Sequence, residues 1–391
     1  MEKINAVRMG RENKKIVLDI VRRYPGITRK EISDMTDMDP STVSKIVSNL
    51  LDDGYVVEGE RKYLGKRGRR AIGLQVNPDV VRGIVVTVGA EISNIGISKF
   101  DGSFEILDVF RTFCDFEEFV ESVRKRIISI LENSGGNIVG ISMSIPGIVD
   151  MEKGIIRNAP HLKWKEKNLK EKLNDILESY NLFLIMDNEA KLSLYAESWY
   201  NEEIKNLKNG LYVYQSEGVG GALMIDGKVY RGGDFIAGEI GHMVIDPNGR
   251  SCHCGRKGCW ETFISTEAIV QSYEFMYGKL EGDNFNEKFM KLMSRKGEEI
   301  SWILDKMVNY ITIGLLNLLN IIDPQFVILG GTMYNFSSDL IKKIRERISS
   351  NLLSSTMDSI KIIKASMDMD TSRMKGCSLT FVDKFISVMM G

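Results

Sequence analysis

The hydrophobic period of the sequence changes at Asn77-Pro78, and this change restricts the fold more than any other feature. Before it, apolar residues recur at helical spacing in three short segments. After it, runs of β-branched residues alternate with helical segments. A chain written this way holds a small helical head and a larger α/β body. Its 391 residues are enough for two or three domains of ordinary size.

The head predicts a winged helix-turn-helix over residues 1–76. Residues 12–24 carry Ile16, Val17, Ile20 and Val21 at helical spacing, and Pro25-Gly26 ends that helix. Thr28 and Glu31 form a capping-box pattern that opens a second helix. Asp39-Pro40 reads as an N-cap with proline at the first helical position. The third helix, Ser41 to Asp52, has an inner face of Val43, Ile46, Val47 and Leu50. Its other face holds Ser41, Thr42, Ser44, Lys45 and Ser48, small enough to enter a major groove and able to donate to phosphates or base edges. Tyr55–Val57 and Ile72–Val76 predict two strands around a basic wing, residues 61–70. Its Lys66, Arg67, Arg69 and Arg70 suit phosphate contact or a narrow minor groove.

Charge agrees with that division. Residues 1–76 hold 16 Lys/Arg against 11 Asp/Glu, and the remainder hold 36 against 42. Only the head has the sign to meet a polyanion. A three-helix interaction module with a solvated basic loop is the bland alternative; the ordered succession of helices, hairpin and linker favours DNA. With 43% hydrophobic and 27% charged residues, collagen-like, disordered and disulfide-scaffold classes are excluded. The N-terminus has no apolar signal core, and the longest apolar run, Tyr310–Ile322, is broken by Asn317 and Asn320. A cytoplasmic protein without a membrane partner is expected.

In the body, Gly83–Val88, Asn94–Ser98 and Ile138–Ser144 predict strands, with a helix over 116–133. A second set follows: strand 182–186, helix 189–200, strands 211–215 and 221–225, and strand 326–329. Two similar α/β sets predict two lobes with a ligand cleft between them. Ser216–Gly221 and Leu329–Thr332 are glycine clusters that suit either an anion site or a tight turn.

The sharpest local signal is Cys252-His-Cys254-Gly-Arg-Lys-Gly-Cys259. Three thiols this close suit a tetrahedral zinc better than disulfides. The fourth ligand is His242 or His253. His253 lies between two ligands, so its side chain should point away, whereas His242 can fold back. Four protein ligands make the zinc structural, pinning a loop with Glu239 on one side and Glu261 on the other.

These residues resemble the ROK family of sugar kinases and sugar-responsive repressors. The resemblance runs through Gly140–Val149, Ala159–Trp164, Asp187-Asn-Glu-Ala190, Gly238-Glu-Ile-Gly-His242, the Cys-x-Cys-Gly-x-x-Gly-Cys-x-Glu segment 252–261 and Leu329–Gly331. It implies an actin-like body of two ribonuclease-H-like lobes, residues 80–188 with 377–391 and residues 189–376. The helix Ser378–Met389 would return to the first lobe. A winged helix ahead of that body is similar to the xylose-repressor and N-acetylglucosamine-repressor branch. The resemblance further implies that Asn188, Glu239, His242 and Glu261 hold sugar hydroxyls, with Glu189 binding a hydroxyl beside them. In kinase members an aspartate at position 189 is the general base; here it is Glu189, one methylene longer.

The nucleotide motifs depart further. Thr87-Val-Gly89-Ala90-Glu91 replaces Asp-x-Gly-Gly-Thr, and Ser216-Glu217-Gly218 replaces Gly-Thr-Gly. Two carboxylates would face a triphosphate. At about 4 Å, each like-charge pair costs roughly 1 kcal/mol in water and ~4 at an effective dielectric of 20. ATP with magnesium is therefore not expected. His161 stands where the family usually has asparagine. The resulting expectation is a sugar-responsive repressor of carbohydrate-utilisation genes, a dimer or tetramer on a double-stranded operator. The alternative is an ATP-dependent hexose or N-acetylhexosamine kinase.

Overall fold

The computed structural model describes residues 2–62, 71–295, 297–351 and 359–389. The chain divides into two compact units, residues 1–186 with 377–391 and residues 187–376.

The first unit begins with the head: α1 (Glu2–Arg23), α2 (Arg29–Thr36), α3 (Pro40–Asp52), β1 (Val56–Lys62) and β2 (Ala71–Val76). The capping box of α2 forms in full, with Thr28 accepting from Glu31 N and Glu31 reaching back to Thr28 N. Asp39 caps α3 ahead of Pro40. Val43, Ile46, Val47 and Leu50 are buried on its inner face. β1 and β2 pair antiparallel, so two strands follow the helices as a winged fold requires. Two details differ from the sequence reading. α1 starts at Glu2 rather than near residue 12, and its buried stripe is Val17, Leu18 and Val21, while Ile16 is exposed. The core of the head lies on the Leu18 side of the helix, where α3 and β2 pack. The wing residues Lys66, Arg67, Arg69 and Arg70 lie outside the described residues.

The rest of this unit comprises β3 (Arg82–Thr87), β4 (Ile92–Lys99), β5 (Phe104–Arg111), α4 (Phe116–Asn133), β6 (Ile138–Ile145), β7 (Ile148–Asp150), β8 (Ile155–Ala159), β9 (Trp164–Asn168), α5 (Leu169–Ser179) and β10 (Phe183–Asn188). Its main sheet runs β10-β6-β3-β4-β5, with β3 parallel to β6 and antiparallel to β4. The apolar stripes of α4 (Phe119, Val123, Ile127) and α5 (Leu173, Ile176) pack on the sheet residues Ile84, Val86, Ile141 and Met143. β7-β8-β9 form a small separate sheet.

The second unit holds α6 (Glu189–Tyr200), β11 (Gly210–Gln215), β12 (Val219–Ile225), β13 (Lys228–Tyr230), α7 (Glu261–Ile264), α8 (Thr266–Tyr277), α9 (Phe285–Met293), α10 (Glu298–Ile322), β14 (Phe326–Gly331), α11 (Ser338–Ser349) and β15 (Lys361–Lys364). Its sheet runs β13-β12-β11-β14-β15. Numbered within each sheet, both follow the order 3-2-1-4-5 with a parallel neighbour on one side of the first strand and an antiparallel meander on the other. This repeated mixed sheet is the ribonuclease-H-like pattern of an actin-like body. One face is covered by α8 to α11, the other by α6 residues Ala190 and Leu194. Ser216–Gly218 closes the β11–β12 hairpin as a tight turn. Leu329–Thr332 leads into one 3-10 turn, with Thr332 Oγ1 donating to Gln215 Oε1. Both glycine clusters are turns.

The final helix, α12 (Met369–Met389), starts nine residues before the expected Ser378. Residues 369–376 pack in the second unit and 377–389 in the first.

Candidate functional site

Five sugar-site candidates, Asn188, Glu189, Glu239, His242 and Glu261, all belong to the second unit. β10 ends on Asn188, which caps α6: its Oδ1 accepts from Ala190 N at 2.9 Å and Lys191 N at 3.3 Å. An asparagine fixed by its oxygen presents its amide end in a set direction. Glu189 opens α6. Its Oε2 accepts from Arg373 Nη1 at 3.2 Å and from Tyr214 Oη at 3.4 Å. Arg373 is buried, so this ion pair is shielded from solvent.

Glu239 precedes the 3-10 turn Ile240–His242. Gly238, at φ 99°, lets the chain run against β12: a Cβ there would meet Gly221 O at 2.3 Å. Lys191 comes from one turn into α6 and is buried; its Nζ donates to Phe235 O at 2.6 Å. Arg231 clamps Asp187, with Nε and Nη2 at 2.9 and 2.7 Å from Oδ2. The loop 231–238 is thus tied at Arg231 to the end of β10 and at Phe235 to the start of α6. Burial raises the Glu239 carboxyl above the ordinary range; Lys191 opposes that and Glu261 reinforces it. Burial lowers the Lys191 ammonium, against the attraction of Asp187 and Glu239.

The cysteine loop folds back through bridges Val244↔Cys259 and Ser251↔Lys257. The donor atoms of His242, Cys252, Cys254 and Cys259 all lie within 4.8 Å of one another. Cys254 Sγ to Cys259 Sγ and Cys252 Sγ to His242 Nδ1 are both 3.6 Å. A tetrahedral ion about 2.3 Å from sulfur and ~2.0 Å from nitrogen spaces its donors at roughly 3.5–3.8 Å. The residues therefore fit a four-coordinate metal ion. Burial pushes the Cys252 and Cys259 thiols up. Burial acts the same way on Cys254, but hydrogen bonds from Arg256 and the neighbouring thiols outweigh it and bring that thiol to about 7. Binding would deprotonate all three.

Glu261 begins α7 and is buried. Its Oε1 lies 3.0 Å from Cys252 Sγ, 3.5 Å from His242 Nδ1 and 3.4 Å from His253 Nδ1. His253 is outside the four-donor set, but it does not simply point away: its ring stands edge-on to His242 at 5.6 Å. With Nδ1 toward Cys252, His242 keeps Nε2 on the other edge of its ring. Glu239 and Glu261, and Glu261 and His242, interact electrostatically; carboxylate oxygens accept from hydroxyls, and the Asn188 amide can donate to them.

On the head, Ser41, Ser44, Lys45, Ser48 and Asn49 are exposed and Thr42 is half-buried, so the outer face of α3 is open. The Ser41 hydroxyl donates to Asp39, which ties it to the cap. His161 sits exposed on a 3-10 turn, Pro160–Leu162, in the first unit. The sequence reading missed Lys191, Arg231, Arg373 and the His253–Glu261 contact. A lysine on the buried face of α6 was the one available sign.

Comparison with known proteins gives two pattern matches. The ROK family matches residues 85–383, and a winged helix-turn-helix DNA-binding pattern matches residues 11–57. The chain is 29% identical over 388 residues to the xylose repressor of Bacillus subtilis (strain 168), covering 96% of each. It is 23% identical over 368 residues to the DNA-binding transcriptional dual regulator NagC of Escherichia coli (strain K12), covering 91% of this chain and 89% of that one. A solved ROK family transcriptional regulator, described as a homolog of the E. coli MLC protein, superposes with TM-score 0.76 at 20% identity. That match covers 96% of this chain and all of the other.

Proposed function

The chain belongs to the ROK family, and on that premise we propose that it is a sugar-responsive transcriptional repressor of carbohydrate-utilisation genes. The observation that carries this reading is that one chain joins an open, polar α3 face to a body in which the buried Glu261 lies against a His/Cys metal-donor set. It is supported by end-to-end similarity to repressors. The head binds a double-stranded operator through Ser41, Thr42, Ser44 and Lys45, with wing residues Lys66, Arg67, Arg69 and Arg70 on phosphates. A homo-oligomer presents paired heads to an inverted repeat. The sugar is held by Asn188, Glu239, His242 and Glu261, with Glu189 alongside. The metal is zinc, held by His242, Cys252, Cys254 and Cys259, and it fixes the approach of Glu261 to His242. Among the described residues no helix is long and apolar enough to cross a membrane; the proposed location is the cytoplasm, where operators are.

A thermal-shift screen of neutral monosaccharides, followed by operator anisotropy with each hit, tests the reading. At least one sugar should raise the melting temperature and weaken operator binding. A protein that binds no DNA selected from random duplexes would sink it. One observation keeps a kinase as second reading: residue 189 is a carboxylate. ATP- and magnesium-dependent sugar phosphorylation, abolished by Glu189→Gln, would favour it.

A further inference from the structure

We propose that Arg373 is a positioning residue that makes α12 the element coupling sugar binding to the DNA-binding head. The inference rests on the sugar-site reading of Glu189 and goes beyond it. α12 is one unbroken helix of 21 residues, so it is about 30 Å long. Its first two turns are fastened to the effector-site helix α6. Arg373 pairs with Glu189 and with Asp370. Ser372 Oγ lies 3.0 Å from Ser193 Oγ, and Gly376 packs so closely that a Cβ would meet Leu192 O at 2.3 Å. The Arg373 Nε is buried with no acceptor among the described residues, so Glu189 and Asp370 are what hold the guanidinium.

The far turns lie in the first unit, where Phe381 stacks on Phe183 of β10 and the turns beyond it reach the head. Asp383 accepts from Arg22 Nη1 at 2.9 Å, and the Arg22 side chain is 1% exposed. Phe381, Val382, Phe385 and Ile386 complete one apolar core with Val17, Leu18 and Val21 of α1 and Val47 and Leu50 of α3. The Phe385 ring lies 6.3 Å from Tyr55, at the root of β1. The same helix thus has one end in an ion pair with a candidate sugar ligand and the other inside the core that seats α3. A sugar hydroxyl donating to Glu189 competes with the guanidinium for that carboxylate. Because a ligand shifts an equilibrium only through contacts that differ between states, Glu189 is where that difference would arise. A helix on a packed face shifts as a body rather than bending residue by residue.

The experiment uses the full chain and an operator duplex selected from random DNA by the wild type. Operator affinity is measured by anisotropy with and without saturating D-xylose or N-acetyl-D-glucosamine, and sugar affinity by calorimetry. Wild type should lose operator affinity roughly tenfold or more with one of these sugars. In Arg373→Met that ratio should collapse to below about threefold, while Arg373→Lys, which keeps the charge, restores it. Asp383→Asn should keep the wild-type sugar affinity and also lose the response. A merely structural arginine would lower stability in Arg373→Met yet leave the ratio intact; that result overturns the inference. If Arg373→Met does not fold, the Asp383→Asn ratio decides alone. Wild type that binds the operator but neither sugar overturns both this inference and the sugar-site reading; a normal response in the two variants overturns this inference only.

Discussion

Gly314→Ala is a sharp test of how packing holds the site. Gly314 lies on the buried face of α10, and an added Cβ would sit 2.1 Å from the Trp260 ring. Carbon atoms in contact rest about 3.5–4.0 Å apart, so something must move by roughly 1.5 Å. Trp260 is fully buried, and its Nε1 donates to Tyr310 O at 2.7 Å, so the ring has little room. Trp260 also lies between Cys259 and Glu261, a metal donor and a sugar candidate. Overpacking of this kind costs about 1–3 kcal/mol. Alanine in place of glycine in a helix returns about 1 kcal/mol. The net expectation is a loss of up to about 2 kcal/mol, a fall of several degrees in the melting of a unit this size at roughly 2–4 °C per kcal/mol. Calorimetric melting with and without sugar, together with metal content, measures this. Sugar affinity should fall along with stability, and Gly314→Ala in a Trp260→Leu background should be milder than in wild type. A raised melting temperature with unchanged sugar affinity would mean that helix propensity alone governs the position, and the packing argument would be wrong.

Cys254→Ser should release the metal by more than the roughly 10–100-fold that losing an outer hydrogen-bond partner costs, and should weaken sugar binding through the Glu261 side of the loop. Elemental analysis finding no zinc in the native protein contradicts this. Arg69→Ala with Arg70→Ala should weaken operator binding and reduce the salt slope by about 2, at about 0.9 per phosphate; unchanged affinity refutes the wing assignment. Lys191 gives a pH prediction. Burial holds its pKa below the ordinary value, so between the two values the unfolded chain binds more protons and stability rises with pH. The stability of wild type relative to Lys191→Met should therefore climb with pH over a window that closes at the ordinary lysine value, about 10.4. Denaturant melts at several pH values giving a flat difference would refute the burial argument.

Signals confined to a few neighbouring residues were legible. The Thr28–Glu31 box, the Asp39-Pro40 cap and the bounds of α4 and α6 all came from spacing within one helix. The cysteine cluster was legible because its ligands are close in sequence. α12 was half missed for a physical reason. Residues 369–376 pack through Ser372 and Gly376, small residues that leave no apolar stripe, whereas 377–389 pack through phenylalanines. The strands β7 to β9 are short, and β9 reads Trp-Lys-Glu-Lys-Asn, which has no β signal. Arg373 and Glu189 are 184 residues apart, and Lys191 meets a backbone carbonyl in a loop. No periodicity encodes such pairs.

Those distant contacts bear on the choice between sensor and kinase. A general base needs a carboxylate oxygen within reach of the substrate hydroxyl and able to take its proton. In Glu189, Oε2 already accepts from a guanidinium and a phenol. The phenol stays a donor: burial, and then Glu189 itself, hold the Tyr214 pKa well above its ordinary value. Arginine stays charged at any working pH. Restoring the shorter acid by Glu189→Asp would therefore draw the carboxylate back from both donors. It would not restore the kinase nucleotide motifs, because Glu91 and Glu217 still replace the two threonines of the family patterns. Glu189→Asp should thus leave ATP-dependent sugar phosphorylation at background, measured by coupled assay across the sugars that bind. Phosphorylation appearing in that single variant would show that the electrostatics of the nucleotide positions do not block catalysis, and that residue 189 alone separates a sensor of this type from an enzyme.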